Sequence, residues 1–365
     1  MRVLFYVGDK RWSGSARAIL VAARGLAARD HSVTIACCSG SRLDEMARES
    51  NIETVPINGA SSTVGGAWDL RKLIQTRFIE VAIVTSERDQ LIVSSARLFA
   101  DRGAVLRRIP CFEPFELQRG GRMALRLAAS GVLVTTAREI DELPKAGWSL
   151  PPAVVPLGVQ PTNYDDVPGA ARVAIGAPSE GRLIACHYDP SGRHRIGAVF
   201  RTLALMAPRH RDMHVVVFGP GSLDETLRLH ASALGVGSLF SFVGDPDDEL
   251  SVMRAAEAGW IVSGGDAAAF ACLDFMAMRI PVIAERSALM RHFVADAITG
   301  TLLPSTDTAK TASEVAKFLA SGEKLAAMGN AARSRVQREF TETAMIDGFE
   351  RAVNAAGDRS QWSKR

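Results

Sequence analysis

The 365-residue sequence lacks the features that would indicate a membrane protein, a disulfide-stapled protein or a nucleic-acid-binding protein. No uninterrupted apolar run approaches the roughly 18 residues of a membrane-spanning helix. The five cysteines are odd in number and form no C-x-x-C pair, which is typical of reduced thiols in a cytosolic protein rather than of disulfides or a zinc site. A net charge of +3 is too small to indicate nucleic acid as a partner. We therefore expect a cytoplasmic globular protein.

The common nucleotide-binding motifs are also missing. The loop Gly8–Gly14 has no G-x-G-x-x-G, Gly219-Pro220-Gly221 lacks the third glycine, and neither loop carries G-x-x-x-x-G-K-[ST]. Nicotinamide and P-loop ATP sites are therefore not indicated. Each glycine loop is either a plain tight turn or a place where a ligand approaches backbone N–H groups.

Short apolar segments alternate with amphipathic helical segments along most of the chain. This pattern predicts βαβ units with parallel sheets, and therefore the α/β class. Strands are predicted at residues 3–7, 32–37, 53–56, 81–85, 132–135, 183–186, 215–218, 240–243, 258–262 and 282–284. Between residues 151 and 178 the pattern gives way to a stretch rich in proline and glycine, which indicates a connection between two doubly wound halves. In such folds ligands lie at the carboxyl ends of the strands.

Two acids stand out in the second half. Asp266 lies at the mouth of a predicted helix, and Asp274 follows eight residues later. Eight helical residues advance about 12 Å, which is too long for a glycosidase pair at about 5–9.5 Å. The spacing suits two acids that hold opposite ends of an extended ligand such as a nucleotide-sugar. The alternative is that Asp266 only caps the helix and Asp274 is a solvated surface acid.

Seven segments in order resemble those of GT-B glycosyltransferases, specifically the large retaining group called family 4. They are residues 12–34 (glycine-rich loop and "ALAARGHEVTV"), 155–159 ("IPNGVD"), 217–221 ("VGDGP"), 242–244 ("FLG"), 254–258 ("YRAAD"), 266–281 ("EGFGLVLLEAMACGLPV") and 299–304 ("TGLLVP"). The resemblance covers nearly the whole chain. It implies a GT-B fold, with two Rossmann-like domains facing across a cleft.

The resemblance also implies a division of labour along the chain. Residues 1–157 would form the N-terminal acceptor domain, 158–178 the linker, and 179–340 the nucleotide-sugar donor domain. Residues 341–365 would form a helix that returns towards the N-terminal domain, ending in a frayed tail.

By the same resemblance, the acid pair occupies the two glutamate positions of the family's E-x7-E. Asp266, the expected catalytic residue, would contact the donor sugar hydroxyls, and Asp274 the ribose hydroxyls. The backbone amides of the intervening residues would face the diphosphate at the helix start: Ala267, Ala268, Ala269 and Phe270. Those amides and basic side chains would neutralise the leaving group, so neither a metal ion nor a cofactor is expected. Here the family's two glycines are replaced by Ala267 and Ala269, and alanine resists positive φ.

The second half of the expected phosphate clamp departs from the family pattern "GRLxxxKG". The equivalent loop, residues 187–195, has no lysine and carries Asp189 in a stretch that should be cationic. Arg193 or Arg195 is expected to reach the diphosphate, with Gly219 in the neighbouring turn. A solvent-exposed basic turn is the other interpretation of this loop.

On the acceptor side the sequence offers less. Gly14, in the glycine-rich loop, and Glu87 are the candidates, with Asp89 as an alternative to Glu87 for orienting an acceptor hydroxyl. An ordinary charged loop explains these acids equally well.

Six arginines between residues 102 and 126 suggest a peripheral contact with an anionic membrane. They are Arg102, Arg107, Arg108, Arg119, Arg122 and Arg126. A solvated basic face is the alternative.

The expected function is therefore transfer of a hexose from a nucleotide-diphosphate sugar to a hydroxyl of a glycan or lipid-linked acceptor. The expected reaction retains anomeric configuration, in a bacterial cell-surface polysaccharide or glycolipid pathway. Two alternatives remain open. One is a catalytically degenerate GT-B protein that binds or scaffolds an active transferase; the other is a sugar-nucleotide epimerase.

Overall fold

The computed structural model describes residues 1–57, 63–112, 130–143, 149–246, 248–304 and 307–362. It divides the chain into two compact units, Met1–Leu157 with Glu342–Arg365, and Gly158–Thr341. The stretch predicted as a linker, residues 158–178, is part of the second unit. Each unit has its own parallel sheet flanked by helices, which confirms the predicted α/β class.

The sheet of the first unit has the strand order β3-β2-β1-β4-β5-β6-β7. The strands are β1 Arg2–Val7, β2 Ser32–Cys38, β3 Glu53–Ile57, β4 Val81–Val84, β5 Ala104–Arg108, β6 Gly131–Val134 and β7 Ala153–Val154. The helices are Gly14–Ala27, Arg42–Glu49, Thr63–Thr76, Glu87–Ala100, Ala137–Glu142 and Glu342–Trp362. The central strand β1 is buried on both faces, which explains why its sequence is a continuous apolar run.

The C-terminal helix is an integral part of the first unit. Gly25 lies directly beneath it, and a Cβ there would sit 2.4 Å from the side chain of Ile346. Arg29 donates hydrogen bonds to Asp347 at 2.6 Å and Glu350 at 2.5 Å. The close approach at Gly25 and the hydrogen bonds of the Arg29 guanidinium therefore fix how the Gly14–Ala27 helix packs against the C-terminal helix.

The sheet of the second unit has the order β10-β9-β8-β11-β12-β13. The strands are β8 Arg182–His187, β9 Met213–Phe218, β10 Phe240–Gly244, β11 Ala258–Ile261, β12 Val282–Glu285 and β13 Gly300–Leu303. The helices are Arg193–Met206, Glu225–Ala233, Glu249–Arg254, Gly265–Ala277, Ala288–Phe293, Thr308–Leu319 and Gly322–Glu339, with short 3₁₀ turns at Pro161–Tyr164, Arg172–Ile175, Pro190–Gly192 and Gly237–Leu239.

Each sheet reverses its strand order at one point, between β1 and β4 in the first unit and between β8 and β11 in the second. The connections leave these neighbouring strands in opposite directions, so a crevice opens at their carboxyl ends, where α/β proteins bind ligands. We therefore expect the functional side chains to lie in these two crevices.

The basic cluster differs from its expected form. Arg107 and Arg108 belong to β5 rather than to a solvated face: Arg107 donates to Gln90 at 3.1 Å, and Arg108 is only 1% exposed. Arg102 stacks over the ring of Phe78. The other three arginines, Arg119, Arg122 and Arg126, lie outside the described residues. The predicted surface patch is thus wrong for Arg107 and Arg108, and membrane contact stays a prediction. In the described part of the chain, no helix combines the length and apolar character needed to cross a bilayer.

Candidate functional site

The Gly265–Ala277 helix starts in the crevice of the second unit. It follows β11 after the short loop Val262–Gly264, with Gly264 as an extended N-cap residue. Asp266 lies in the first turn and is only 3% exposed. A carboxylate in a first helical turn interacts favourably with the helix dipole. Asp266 therefore lies at the helix mouth, meaning the N-terminal end of this helix, as its sequence position predicts.

The loop that follows β8 lies against the helix mouth through Asp189. One carboxylate oxygen of Asp189 accepts a hydrogen bond from the N–H of Gly264 at 3.1 Å. The other accepts from the N–H of Gly192 at 3.2 Å and from the hydroxyl of Ser191. A Cβ on Gly192 would lie 1.8 Å from the carbonyl oxygen of Val262, so only glycine allows this close approach. Asp189 thus joins the two loops that flank the crevice.

A buried histidine lies at the carboxyl end of β8. His187 Nδ1 is 2.7 Å from Ser263 Oγ, and the His187 ring packs edge-on against Phe218, with 5.3 Å between ring centroids. Gly219, directly after β9, has φ +105°, and a Cβ there would lie 2.3 Å from the carbonyl oxygen of Tyr188. Because the chain after β9 passes so close to the chain after β8, only glycine fits at position 219.

The two arginines expected in the phosphate clamp have different positions. Arg195 donates to the carbonyl oxygen of Val262 at 2.9 Å, and its Nη2 lies 3.4 Å from the position of a Cβ on Gly264. Arg193 instead pairs with Asp224 at 2.7 Å. The pKa of Asp224 lies below its usual range because the carboxylate accepts hydrogen bonds from Thr226 and, in addition, faces Arg193. Of the two, the structure brings only Arg195 to the helix mouth.

The expected role of the backbone amides needs a correction. The Gly265–Ala277 helix already includes the alanines that replace the family's glycines, and the Ala268 N–H donates to the Gly264 carbonyl oxygen at 3.1 Å. The N–H groups of Ala269 and Phe270 lie within the same helical hydrogen-bond ladder. These three amides therefore do not face a diphosphate. In any helix the first-turn amides lack an intrahelical acceptor, which here leaves Gly265, Asp266 and Ala267 as the candidates.

Asp274 is buried inside the second unit and does not lie on its surface. It is 1% exposed, and its carboxylate accepts a hydrogen bond from the hydroxyl of Tyr164 at 2.5 Å. Tyr164 is itself 3% exposed. The alternative of a solvated surface acid is therefore wrong, whereas the expected ribose contact stays a prediction: the described partner of this carboxylate is Tyr164.

The crevice of the first unit is a cavity of about 940 Å³. Its lining includes the end of β1, the end of β2 and the start of the Glu87–Ala100 helix: Gly8, Asp9, Lys10, Cys38, Ser39, Pro56, Ile57, Ser86, Arg88 and Asp89. Asp89 is 4% exposed and accepts a hydrogen bond from the Gly8 N–H at 3.2 Å. Burial raises the pKa of the Asp89 carboxyl above its usual range. The same buried environment raises the pKa of Tyr6 to about 12.

The predicted acceptor residues lie beside this cavity rather than among the lining residues. Gly14 opens the first helix, where Ser13 caps the chain by accepting from Ala16 N–H at 3.2 Å. Glu87 precedes the lining residues Arg88 and Asp89 and is half-buried. Asp89, unlike Glu87, therefore lines the cavity, as Asp9 also does.

Three functional candidates were not assigned a site role from the sequence: His187, Ser263 and Tyr164. His187 ends β8 and Ser263 lies shortly after β11, the two strands on either side of the strand-order reversal, so their positions relative to the predicted strands were the available signal. Nothing in the local sequence marks Tyr164 as the partner of Asp274, because 110 residues separate the two.

Comparisons with known proteins address the class of protein. Residues 194–335, which include Arg195 and the Gly265–Ala277 helix, match the family model described as Glycosyl transferases group 1. A curated relative, a D-inositol 3-phosphate glycosyltransferase from Saccharomonospora viridis, is 27% identical over 246 residues. The alignment covers 62% of this chain and 57% of the length of that relative.

Solved structures match nearly the whole chain. A glycosyltransferase from Rickettsia africae superposes with a TM-score of 0.80 at 14% identity and covers 97% of both chains. Anabaena HepE, solved in complex with UDP and glucose, superposes with a TM-score of 0.79 at 14% identity, covering 97% of this chain and all of the other. The chain therefore has the GT-B fold, and the expected enzyme class, a glycosyltransferase, is supported by the matched family model.

Proposed function

We propose that this protein is a glycosyltransferase that moves a hexose from a nucleotide-diphosphate sugar to a hydroxyl of a glycan or lipid-linked acceptor. We further propose that the transfer retains anomeric configuration, as in family 4, and that it needs no metal ion. The bond from the anomeric carbon to the diphosphate breaks, the acceptor oxygen bonds to that carbon on the same face, and the acceptor proton passes to the departing phosphate.

One arrangement carries this proposal: the helix mouth of the second unit. An acid in the first turn, a guanidinium beside Gly264 and a buried histidine all lie at the strand-order reversal, within or next to the segment that matches the family model. Helix N-termini attract phosphate groups, and arginine binds them with a planar fork. The curated relative and HepE, whose names refer to glycosyl transfer and to UDP, support a nucleotide-sugar as the donor.

The donor-side roles follow from position. Asp266 would accept hydrogen bonds from the sugar hydroxyls, because carboxylates form strong bonds to such donors. Arg195 and the first-turn amides would balance the charge of the diphosphate as it leaves. Gly219 keeps the neighbouring loop close to the ends of β8 and β9, which shapes the same crevice.

On the acceptor side we propose Asp89, in place of Glu87, as the group that orients the acceptor hydroxyl. Its carboxylate is buried, is held by the Gly8 N–H and lines the cavity of the first unit. Gly14 is proposed to act only indirectly, by starting the helix behind the glycine-rich loop. A cytoplasmic location and a role in surface polysaccharide or glycolipid synthesis remain part of this proposal, consistent with five free cysteines.

Calorimetric titration with UDP, GDP and their hexose derivatives tests the donor half. We expect one of these nucleotides to bind and the matching donor to be hydrolysed slowly when no acceptor is present. Loss of both on Arg195→Ala, with Arg193→Ala as the matched control, would support the site. NMR of the glycosidic product tests retention, and unchanged turnover after exhaustive chelation tests independence from metal ions.

One observation favours a second candidate, a degenerate GT-B protein that binds an active transferase. The clamp loop has no lysine, and a carboxylate lies where a cation is expected. If no nucleoside diphosphate binds to the wild-type protein or to any variant, this second function replaces the first.

A further inference from the structure

The helix mouth already holds an anion that belongs to the protein. Asp189 accepts the N–H of Gly264 at 3.1 Å, and Gly264 is the N-cap residue of the Gly265–Ala277 helix. The partially positive end of a helix is where a phosphate would also bind. In this chain a side-chain carboxylate uses one of the N–H groups that a phosphate oxygen would need.

The surroundings of Asp189 match those that a phosphate would seek. Arg195 Nη2 and Ser191 Oγ lie 3.4 Å and 2.7 Å from where a Cβ of Gly264 would be. The Ser191 hydroxyl also donates to the Asp189 carboxylate. A diphosphate that approached Gly264 would meet the same donors and, in addition, a like charge. Two anions a few ångströms apart repel each other unless one is displaced.

The carboxylate can leave Gly264 without unfolding its own loop. Its second oxygen caps the Pro190–Gly192 turn by accepting from the Gly192 N–H at 3.2 Å. Pro190 and Ser191 are exposed, and Asp189 is half-buried. The backbone hydrogen bond from the Gly192 N–H to the Asp189 carbonyl oxygen, at 2.9 Å, also closes this turn, so a rotation of the Asp189 side chain can exchange the contact with Gly264 for solvent without opening the turn.

We propose that Asp189 is a built-in competitor for the diphosphate position, so that a phosphate-bearing ligand binds at the helix mouth only after displacing this carboxylate. The inference rests on the proposed function, because it concerns the same donor site. Asp189 would then control how tightly the site binds the leaving diphosphate, which is a specific role for an acid in a loop that should be cationic.

The test compares binding of inorganic pyrophosphate and of UDP to the wild-type protein, Asp189→Asn and Asp189→Ser by calorimetry. Asparagine and serine are both favoured N-cap residues, so each replacement keeps the Pro190–Gly192 turn capped. The matched control is Asp212→Asn, which removes the same charge just before β9. This residue lies at the amino end of its strand, whereas the crevice lies at the carboxyl ends of the strands. Thermal melting of each variant verifies that it is folded.

We expect both Asp189 variants to bind pyrophosphate and UDP about tenfold more tightly than the wild type does, since one nearby like charge has been removed. Asp212→Asn should change binding less than twofold. If the folded Asp189 variants bind pyrophosphate no more tightly than the wild type does, the inference is overturned, whether or not the wild type binds UDP.

The two proposals fail in different ways. If pyrophosphate binding increases in the Asp189 variants but no nucleoside diphosphate binds to any form, the competitor role stands and the glycosyltransferase proposal fails. If the wild type binds UDP and hydrolyses a donor, yet Asp189→Asn changes neither pyrophosphate nor UDP affinity, the function stands and the competitor role fails.

Discussion

Replacing Tyr164 by phenylalanine tests whether Asp274 serves the structure or the ligand. Tyr164 and Asp274 are both almost fully enclosed in the second unit, and the hydroxyl of one donates to the carboxylate of the other at 2.5 Å. Tyr164→Phe deletes only that hydroxyl. The variant keeps the ring and its packing, so the change in stability reports on the hydrogen bond to the acid.

The expected magnitude follows from the charge and burial of the acceptor. A hydrogen bond to a charged group contributes about 1.5–3 kcal/mol, and a buried carboxylate that loses its donor is penalised by a similar amount. For a domain of about 150–250 residues, each kcal/mol shifts the melting temperature by about 2–4 °C. We therefore expect Tyr164→Phe to lower the melting temperature of the second unit by about 3–10 °C, while UDP affinity changes less than twofold.

The assay is thermal and urea unfolding of a double-mutant cycle made of Tyr164→Phe, Asp274→Asn and the double variant, with UDP titration of each. The control is Tyr188→Phe, at the other tyrosine of the second unit, which is also buried but has no hydrogen-bonded carboxylate among the described residues. The control should cost less than about 1 kcal/mol. A cycle without coupling, together with UDP binding that is lost in Asp274→Asn, would refute our argument and restore the ribose contact.

Three further predictions concern single positions. Asp89→Asn should stabilise the first unit at neutral pH while it lowers transfer activity, because burial raises the pKa of this carboxyl. The sign follows by linkage: the wild-type contribution is fully present below the unfolded pKa of about 4 and is lost as pH rises through the folded value, so the advantage of the variant in urea unfolding should grow with pH and then level off. An advantage that is independent of pH would contradict this. Gly192→Ala should destabilise the second unit by about 2 kcal/mol or more, since its Cβ would lie 1.8 Å from the carbonyl oxygen of Val262; Gly322→Ala, where the added Cβ meets nothing within 4 Å, is the control, and equal melting temperatures would count against the prediction. Asp266→Asn should lower kcat/KM by about 10- to 100-fold without loss of stability, whereas Asp212→Asn should leave steady-state kinetics unchanged.

The sequence predicted the fold where the strands are continuous apolar runs, and it failed where they are not. β1, β9 and β11 are buried strands with few polar residues, and their predicted positions agree with the structure to within two residues at either end. β5 was missed because Arg107 and Arg108 break the apolar pattern in Ala104–Arg108. Arg108 is nevertheless 1% exposed, so its burial is decided by the elements packed around the strand and not by local preference.

For the candidate site, the sequence located the loops but not their hydrogen bonds. The motif around Asp266 placed the helix mouth correctly after β11. The bond from Gly264 to Asp189 joins residues 75 apart, and such a contact depends on strand order, which a local pattern does not contain. Choosing between Arg193 and Arg195 had the same difficulty. The two arginines are two positions apart on one helix and therefore point to different sides of it. Only the packed structure shows that Arg193 pairs with Asp224 and that Arg195 donates to Val262.

The geometry of the helix favours different roles for Asp266 and Asp274. Eight residues along an α-helix give a rise of about 12 Å and a rotation of about 80°, so the second acid lies two turns deeper and on a different face. Both acids are buried, but Asp266 lies in the first turn beside the loop Val262–Gly264, whereas Asp274 lies in the stretch Ala268–Ala277, where every residue is buried. An acid in such a position requires a hydrogen-bonding partner within the protein, and Tyr164 supplies one. We therefore expect Asp266, at the helix mouth, to be the acid that meets a ligand and Asp274 to be an acid of the fold, which the Tyr164→Phe cycle tests.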